Sequence, residues 1–422
     1  MRNLLPSISS SRLANIDKAN YYYVIINVGL SGFSFLRSFV FMRYLDLKEL
    51  GIISLVQTIF MFIGLLQMGL LNGGYRIVSL GKSEEMEKTN NTIYSYLAIL
   101  LPIGLLFCVL SSCFNWIKEL SLLLLVISVV FGIFTLLNNW THNALIGEQK
   151  LKEVNRINII AYGTAAIMLP LAYWFGFWGG MIVIMVQPLV FVIMALIRNK
   201  ELIPTGFYFD NKYIKYILSF GFIPFLGGIF LSIYLQVERW SITEVLGVEA
   251  LGGFYLVFLY VSLFQLVPNS INSIFFPKGV KAYSEKNYSS FKSLLKYYYL
   301  TLVGYGFAIA IVTFLFLEPV VSLVFPQHVP GIVLVYIILP GLILQSLSEP
   351  IGLILNSAVI LRPMLIVNML NMLLCIAMVF TLICFDSFTL NTVASIRMVS
   401  GIFTLFAYVV VYFLIRRRLY TL

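Results

Sequence analysis

Long apolar runs separated by short polar segments follow one another along the chain from residue 21 onward. Each run approaches the roughly 20 apolar residues that a helix needs to cross a bilayer. The pattern predicts twelve spans, at residues 21–43, 51–71, 92–113, 120–140, 157–174, 181–197, 216–243, 253–275, 298–317, 332–355, 364–385 and 392–414. Because unpaired backbone groups are costly in lipid and these runs are too long for barrel strands, we expect α-helices.

Composition narrows the class of protein further. Of the 422 residues, 60% are hydrophobic and only 11% are charged, whereas an ordinary soluble domain carries about 25% charged residues. This excludes a soluble enzyme, a nucleic-acid binder and a disordered chain. The sequence contains no nucleotide-binding loop, no CxxC pair and no ordered set of catalytic side chains, so we expect no enzyme activity and no bound cofactor.

Basic residues are concentrated in every second polar segment. With the N-terminus placed inside, 22 of the 28 Lys and Arg residues fall on that side and only three fall in the outer loops. Because Lys and Arg resist translocation, we expect both termini to be cytoplasmic. The net charge of +10 thus reflects orientation in a membrane rather than a nucleic-acid partner. The outer loops are all short, which disfavours a membrane glycan polymerase.

The chain repeats itself weakly with an offset of 201 residues. Residues 30–67 align with residues 231–268, and eight of the 38 aligned positions are identical. The clearest match pairs Leu45–Gly51 with Leu246–Gly252, although chance similarity between two apolar hairpins is an alternative. Six spans separate the copies, so both run in the same direction and indicate a parallel repeat. We expect an N-lobe at 1–197, a cytoplasmic linker at 198–215 and a C-lobe at 216–422, with a central cleft between six-helix lobes.

Five ionisable residues fall within the predicted spans. They are Arg37 in span 1, Glu238 and Arg239 in span 7, Glu349 in span 10 and Arg397 in span 12. A charge at the centre of a membrane helix costs about 2.5–3.5 kcal/mol on insertion scales, so such residues normally face an interior or a water-filled cavity. Their positions predict one charged layer in the outer half of the membrane, with Glu349 apart from it and nearer the cytoplasm.

The charged layer has a functional interpretation and simpler alternatives. Guanidinium groups bind phosphate and carboxylate oxygens bidentately, so the layer predicts an anion site with a carboxylate beside it. Alternatively, Arg37 and Arg397 snorkel to the interface, Glu238 and Arg239 form a local ion pair, and Glu349 is a protonated carboxyl in a helix break. Arg37 and Glu238 are also repeat mates, which suggests that they pair across the cleft in one transport state.

Loose glycine and arginine motifs follow the predicted span 1 and span 4. The stretch FLRSFVFMRYLDLKELGIISLVQTIFMFIGLLQMGLLNGGYRIVS has a Leu50-Gly51 turn and ends in a glycine-rich segment with Arg76, and a second motif runs from Ala144 to Lys150. These residues, together with GFIPFLGGIFLSIYLQVERWSITEVLGVEALGGFY in spans 7–8, resemble the polysaccharide-transporter branch of the MOP superfamily, closest to the O-antigen flippases (Wzx). One departure from that family is the adjacent pair of opposite charges at Glu238 and Arg239.

The resemblance implies a twelve-helix, MATE-like flippase for undecaprenyl-pyrophosphate-linked oligosaccharide. It implies the bacterial inner membrane, coupling to H⁺ or Na⁺, and a polysaccharide polymerase and chain-length regulator as partners. The substrate would meet Arg37, Arg76, Glu238, Arg239, Glu349 and Arg397. One alternative is a multidrug exporter of the same superfamily, which needs acidic cavities for organic cations. Another is a lipid II flippase, although the similar proteins of that kind have fourteen spans and twelve are predicted here. A third is a membrane glycan polymerase.

Overall fold

The computed structural model describes residues 29–30, 32–80, 83–358 and 360–419. The N-terminal segment that is predicted to be cytoplasmic, and the beginning of span 1 at residues 21–28, lie outside these ranges. The described residues are overwhelmingly helical and include no β-strand. The predicted all-α fold is therefore confirmed.

Helices follow one another with short connections. The N-lobe contains α1 (32–44), α2 (Leu47–Leu65), α3 (Leu70–Ser79), α4 (Ser83–Cys113), α5 (Leu122–Gly147), α6 (Leu151–Ile167) and α7 (Leu171–Arg198). The C-lobe contains α8 (Asn211–Leu246), α9 (Val248–Gly253), α10 (Tyr255–Ser284), α11 (Tyr288–Val324), α12 (Ile332–Ser346), α13 (Glu349–Ser357), α14 (Arg362–Cys384) and α15 (Leu390–Leu419). Two short 3₁₀ helices, at Lys200–Leu202 and Pro326–Gly331, complete the described elements.

Most of the predicted spans correspond to helices of membrane-spanning length. Ten helices or joined helices in the described ranges are long and apolar enough to cross a membrane. The shorter α1 and the 17-residue α6 coincide with the other two predicted spans. The architecture is thus consistent with twelve spans in two lobes, and the protein is built as a multi-pass membrane protein.

Two predicted spans are broken in their C-terminal parts. Gly69 separates α2 from α3 with a backbone φ of +95°, a conformation that glycine adopts without steric cost. The second break lies between α12 and α13, where Glu349 precedes Pro350. A proline disfavours helical conformation in the residue before it and removes a backbone donor. The second break places Glu349 at the N-terminal end of α13.

The two lobes contact each other reciprocally at the face that the charge pattern predicts to be outer. A Cβ on Gly51 would overlap the backbone carbonyl of Val248, and a Cβ on Gly252 would overlap the carbonyl of Leu47. The alignment offset of 201 residues relates Gly51 to Gly252 and Leu47 to Val248. A two-fold axis requires this exchange of partners. The repeat in the sequence therefore coincides with close backbone packing between the lobes at the face predicted to be outer.

Adjacent glycines on α9 provide a matched test of this packing. We expect Gly252→Ala to lower the stability of the purified protein by about 1–3 kcal/mol, as overpacking of a close contact typically does. Gly253→Ala should leave the stability nearly unchanged, because a Cβ there meets no atom within 4 Å. Thermal unfolding in detergent measures both variants, and equal unfolding temperatures would contradict the reciprocal contact.

Additional hydrogen bonds join the lobes beside these glycines. The Gln327 side-chain amide donates to the carbonyl oxygens of Met42 and Leu45 at 3.0 and 2.9 Å. Arg43 donates to the carbonyl of Val324 at 2.8 Å. These bonds satisfy carbonyls at the ends of helices, where no intrahelical donor is available. The first helix of the N-lobe is thereby fixed to the end of α11 and to the 3₁₀ helix that follows it.

The segment between the lobes is attached to the N-lobe at α4. Asn91 and Thr205 exchange two hydrogen bonds, of 2.8 and 2.9 Å, and Asn90 donates to the carbonyl of Leu202 at 3.0 Å. The predicted linker begins where α7 ends, at Arg198, and α8 begins at Asn211. Because its backbone groups are hydrogen-bonded to α4, this segment holds the start of α8 in a defined position against the N-lobe.

Candidate functional site

A buried ion pair connects α8 to α15. Arg397 donates from Nε to Glu238 Oε1 at 2.6 Å and from Nη2 to Glu238 Oε2. The Arg397 side chain is 10% exposed and that of Glu238 is 1% exposed. Arg397 therefore lies in the interior of the bundle instead of snorkelling to the interface. The two-point geometry is the arrangement in which arginine binds carboxylate most strongly.

Arg239 faces a different direction from its neighbour Glu238. Successive helical residues lie about 100° apart and do not face each other, so a local pair between these two residues is not formed. The Arg239 Cζ instead lies 4.5 Å from the ring centroid of Phe258 on α10. Its Nε is buried and makes no hydrogen bond with any described residue, and no ion pair is formed with it in the described ranges. Arg239 thus retains donors for a further partner.

Phe258 also lies near the ion pair. Its ring centroid is 5.5 Å from the Cζ of Arg397, within the range of a cation–π contact. The aromatic ring therefore lies near both guanidinium groups, the neutralised Arg397 and the unpaired Arg239. An aromatic side chain suits this position because its negative face offsets part of the repulsion between two cations.

A cavity of about 360 Å³ lies beside Arg239 and is called the arginine cavity here. Four elements, α1, α2, α8 and α10, contribute to its lining. The lining residues are Ser34, Phe35, Arg37, Ser38, Gln57, Arg239, Tyr255, Phe258, Leu259, Ser262, Gln265, Leu266 and Asn269. Because α1 and α2 belong to the N-lobe while α8 and α10 belong to the C-lobe, the cavity lies at the boundary between the lobes.

The lining of the arginine cavity is positively charged. It includes two guanidinium groups, Arg37 and Arg239, and no carboxylate. Arg37 is partly buried and makes no ion pair within the part of the chain that the structure describes. The remaining polar lining consists of hydroxyl and amide side chains, which donate and accept hydrogen bonds without charge. A cavity of this kind favours an anionic ligand and is unfavourable for an organic cation.

Glu349 lies in a separate cavity of about 300 Å³, called the Glu349 cavity here. Its polar lining consists of one carboxylate together with amides and hydroxyls, from Asn272, Gln345, Ser348, Glu349, Asn356, Asn368, Thr404 and Tyr408. Arg76 lies in neither cavity. It is exposed at the end of α3, with its Cζ 5.6 Å from the ring centroid of Phe220 on α8.

The structure thus brings together four of the six predicted residues and separates the other two. Arg37 and Arg239 share a cavity, and Glu238 and Arg397 form the ion pair beside it. Glu238 pairs with Arg397 here, and not with its repeat mate Arg37. No group of three or more His, Cys, Asp and Glu side chains among the described residues is arranged to hold a metal ion.

The site residues predicted from the sequence do not include those that α10 contributes to the arginine cavity. This helix supplies Phe258 and a row of polar residues that includes Ser262, Gln265 and Asn269. The sequence carries a signal for them, because they recur at intervals of three and four residues within an apolar run, the spacing of one helix face. This polar face carries no charge, so the charged residues within the spans do not indicate it.

Solved structures of MOP-superfamily transporters share this fold. The chain is similar to an inward-facing multidrug resistance MATE family transporter, with a TM-score of 0.73 and 15% identity over 93% of this chain and 95% of that chain. It is similar to the MATE multidrug transporter DinF-BH, with a TM-score of 0.67 and 14% identity over 96% of each chain. A MOP superfamily transporter from Pyrococcus furiosus gives a TM-score of 0.59 and 16% identity over 96% of each chain.

No protein-family model matches the sequence, and no curated protein matches it. The structural likeness extends over nearly the full length of both chains at low identity. It therefore establishes the MATE-like fold of this multi-pass membrane protein.

Proposed function

We propose that the protein is a flippase that moves a lipid-linked oligosaccharide with a pyrophosphate head across the bacterial inner membrane by alternating access. The observation that carries the proposal is the arginine cavity, where Arg37 and Arg239 face one space without a carboxylate partner. A fixed pair of guanidinium groups between two lobes provides what a pyrophosphate needs to leave water.

The energetic problem for such a substrate is its head group. Burying an unpaired phosphate charge costs far more than the lipid tail can offset, so the head needs a hydrated path with fixed positive charge. The tail remains in the bilayer while the head passes between the lobes. In the arginine cavity, the planar donor groups of Arg37 and Arg239 replace water around the phosphate oxygens.

The buried ion pair keeps the charge of the cavity at a moderate value. Glu238 neutralises Arg397, so the positive charge available to the substrate comes from Arg37 and Arg239. A third free arginine would bind the pyrophosphate more tightly in both orientations and slow its release. The pair also links α8 to α15 within the C-lobe, which keeps Arg239 fixed as the lobes move.

Movement of the lobes is driven by a gradient of H⁺ or Na⁺ in this proposal, since the sequence offers no nucleotide-binding motif. The reciprocal contact at Gly51 and Gly252 closes the outer face, and opening it exposes the cavity to the periplasm. The released glycan then becomes available to a polysaccharide polymerase and a chain-length regulator. Both termini lie in the cytoplasm, as the basic residues predict.

The rival proposal is a multidrug exporter, and the fold is compatible with it. Two of the similar structures are described as multidrug transporters. However, an organic cation in the arginine cavity would meet two positive charges. The Pyrococcus furiosus protein is described as having a binding pocket of reverse polarity that suggests a different function. The sign of the charge in the cavity is therefore the feature that separates the two proposals.

Deleting the gene in its own bacterium distinguishes these functions. We expect loss of surface polysaccharide and accumulation of its lipid-linked repeat unit, because the unit is made but stays on the cytoplasmic side. A plasmid copy should restore the polysaccharide. Gel analysis of surface glycan and extraction of membrane lipids are the measurements. Unchanged polysaccharide together with increased sensitivity to organic cations would support the exporter instead.

A further inference from the structure

One face of α10 lines both cavities. Seven of its residues recur at alternating intervals of three and four positions and line either the arginine cavity or the Glu349 cavity. They are Tyr255, Phe258, Ser262, Gln265, Asn269, Asn272 and Phe276. This spacing places side chains on one helix face. The face is polar in its middle and aromatic at its two ends, and the rest of the helix is mainly apolar.

The polar face runs along the axis of α10. Phe258 and Asn272 are 14 residues apart, which corresponds to about 21 Å along a helix axis. Asn269 lines the arginine cavity and Asn272 lines the Glu349 cavity, and these positions are neighbours on consecutive turns. The two cavities therefore adjoin through one turn of α10.

The Glu349 cavity offers unused hydrogen-bonding groups from three helices. Asn272 on α10, Glu349 on α13 and Asn368 on α14 line it and are partly buried. None of the three makes a side-chain hydrogen bond or ion pair with another described residue. An amide both donates and accepts, and an ionised carboxylate accepts only. The volume of the Glu349 cavity, about 300 Å³, is at the lower end of the range for small-molecule pockets.

We propose that the Glu349 cavity is a second binding site, which takes the first sugar residues of the substrate while the arginine cavity holds its pyrophosphate. This inference rests on the proposed function. Sugar hydroxyls both donate and accept hydrogen bonds, which matches amides and a carboxylate without further cations. The polar face of α10 links the two sites. A pyrophosphate held between the lobes therefore has its glycan directed along this face toward the cytoplasm.

Two lipids and matched variants test the proposal by equilibrium binding to the purified protein in detergent. The probes are undecaprenyl pyrophosphate without sugar and the same lipid carrying an N-acetylhexosamine-headed trisaccharide. The variants are Asn272→Ala, Asn368→Ala and Glu349→Gln. The control is Glu318→Gln, which alters an exposed carboxylate of α11. Thermal unfolding confirms that each variant is folded.

We expect wild type to bind the glycan lipid more tightly than the bare lipid. Asn272→Ala and Asn368→Ala should each weaken binding of the glycan lipid by about tenfold, the effect of roughly 1.4 kcal/mol from a lost hydrogen bond. Glu349→Gln keeps a hydrogen-bonding amide and should weaken it less. Binding of the bare lipid should change by less than about twofold, and the control should match wild type for both lipids.

Other results overturn the inference. Equal losses for both lipids, or no loss for either, would show that the cavity does not contact sugar. A Glu349→Gln effect seen only as a changed dependence on Na⁺ or pH would assign the cavity to a cation. If wild type binds both lipids equally, the sugar site fails while the proposed function stands. If wild type binds neither lipid, the proposed function itself fails.

Discussion

Glu238→Ala and Arg397→Ala are each expected to destabilise the protein strongly. The double variant should lose less free energy of unfolding than the sum of the two single losses. Each single change leaves an uncompensated charge in the interior, for which the typical cost is about 3–5 kcal/mol. The expectation depends on the burial of the pair, since the Glu238 side chain is 1% exposed and that of Arg397 is 10% exposed. The double variant removes both charges together and leaves mainly a cavity.

Unfolding in detergent measures these losses, and an exposed pair provides the control. Lys281 Nζ lies 4.0 Å from Glu285 Oε1, and the two side chains are 76% and 58% exposed. Glu285→Ala should therefore cost less than about 1 kcal/mol, as surface ion pairs do. If Glu238→Ala were no more destabilising than Glu285→Ala, the ion pair between α8 and α15 would not contribute to stability.

Arg37→Ala and Arg239→Ala are each expected to impair transport, and together to abolish it, while leaving the protein folded. A hydrogen bond to a charged group contributes about 1.5–3 kcal/mol, so losing one phosphate contact lowers affinity by about tenfold or more. The double variant should fall to the background rate. Neither arginine forms an ion pair with a described residue, so the loss of stability should be small compared with that of Arg397→Ala.

The lysine variants separate charge from geometry at the same positions. Arg37→Lys and Arg239→Lys keep a positive charge but lose the planar donor fork that matches a phosphate. Partial recovery of transport is therefore expected. Arg362→Ala is the matched control, because Arg362 is exposed at the beginning of α14 and lies in neither cavity. Full transport activity of Arg37→Ala and Arg239→Ala would contradict the proposal that these residues form an anion site.

The helical architecture follows from the sequence because it depends on local properties. Runs of about 20 apolar residues and the distribution of Lys and Arg are readable without knowledge of the packing. The repeat of Leu-Gly at Gly51 and Gly252 is visible too, and its physical reason is the close approach of two backbones. Glycine is required there in both copies because any Cβ would overlap the opposite helix.

The partners of the charged residues depend on packing and are less accessible. Glu238 and Arg397 are 159 positions apart in sequence, and nothing local indicates that their side chains reach each other. Depth along the helix places both residues in one layer, but the direction in which each points depends on helix rotation. The same limit applies to Asn368 and Glu349, which share a cavity only because the tertiary fold brings α13 and α14 to the same space.

Translocation by the purified protein in liposomes is the most direct test of the central claim. The substrate is a fluorescent undecaprenyl-pyrophosphate trisaccharide, and its initial rate of appearance in the opposite leaflet is measured. We expect wild type and Arg362→Ala to move the lipid, and the Arg37→Ala, Arg239→Ala double variant to give the protein-free rate. Movement of the lipid by the double variant at the wild-type rate, or export of an organic cation by a wild type that leaves the lipid in place, would contradict the account.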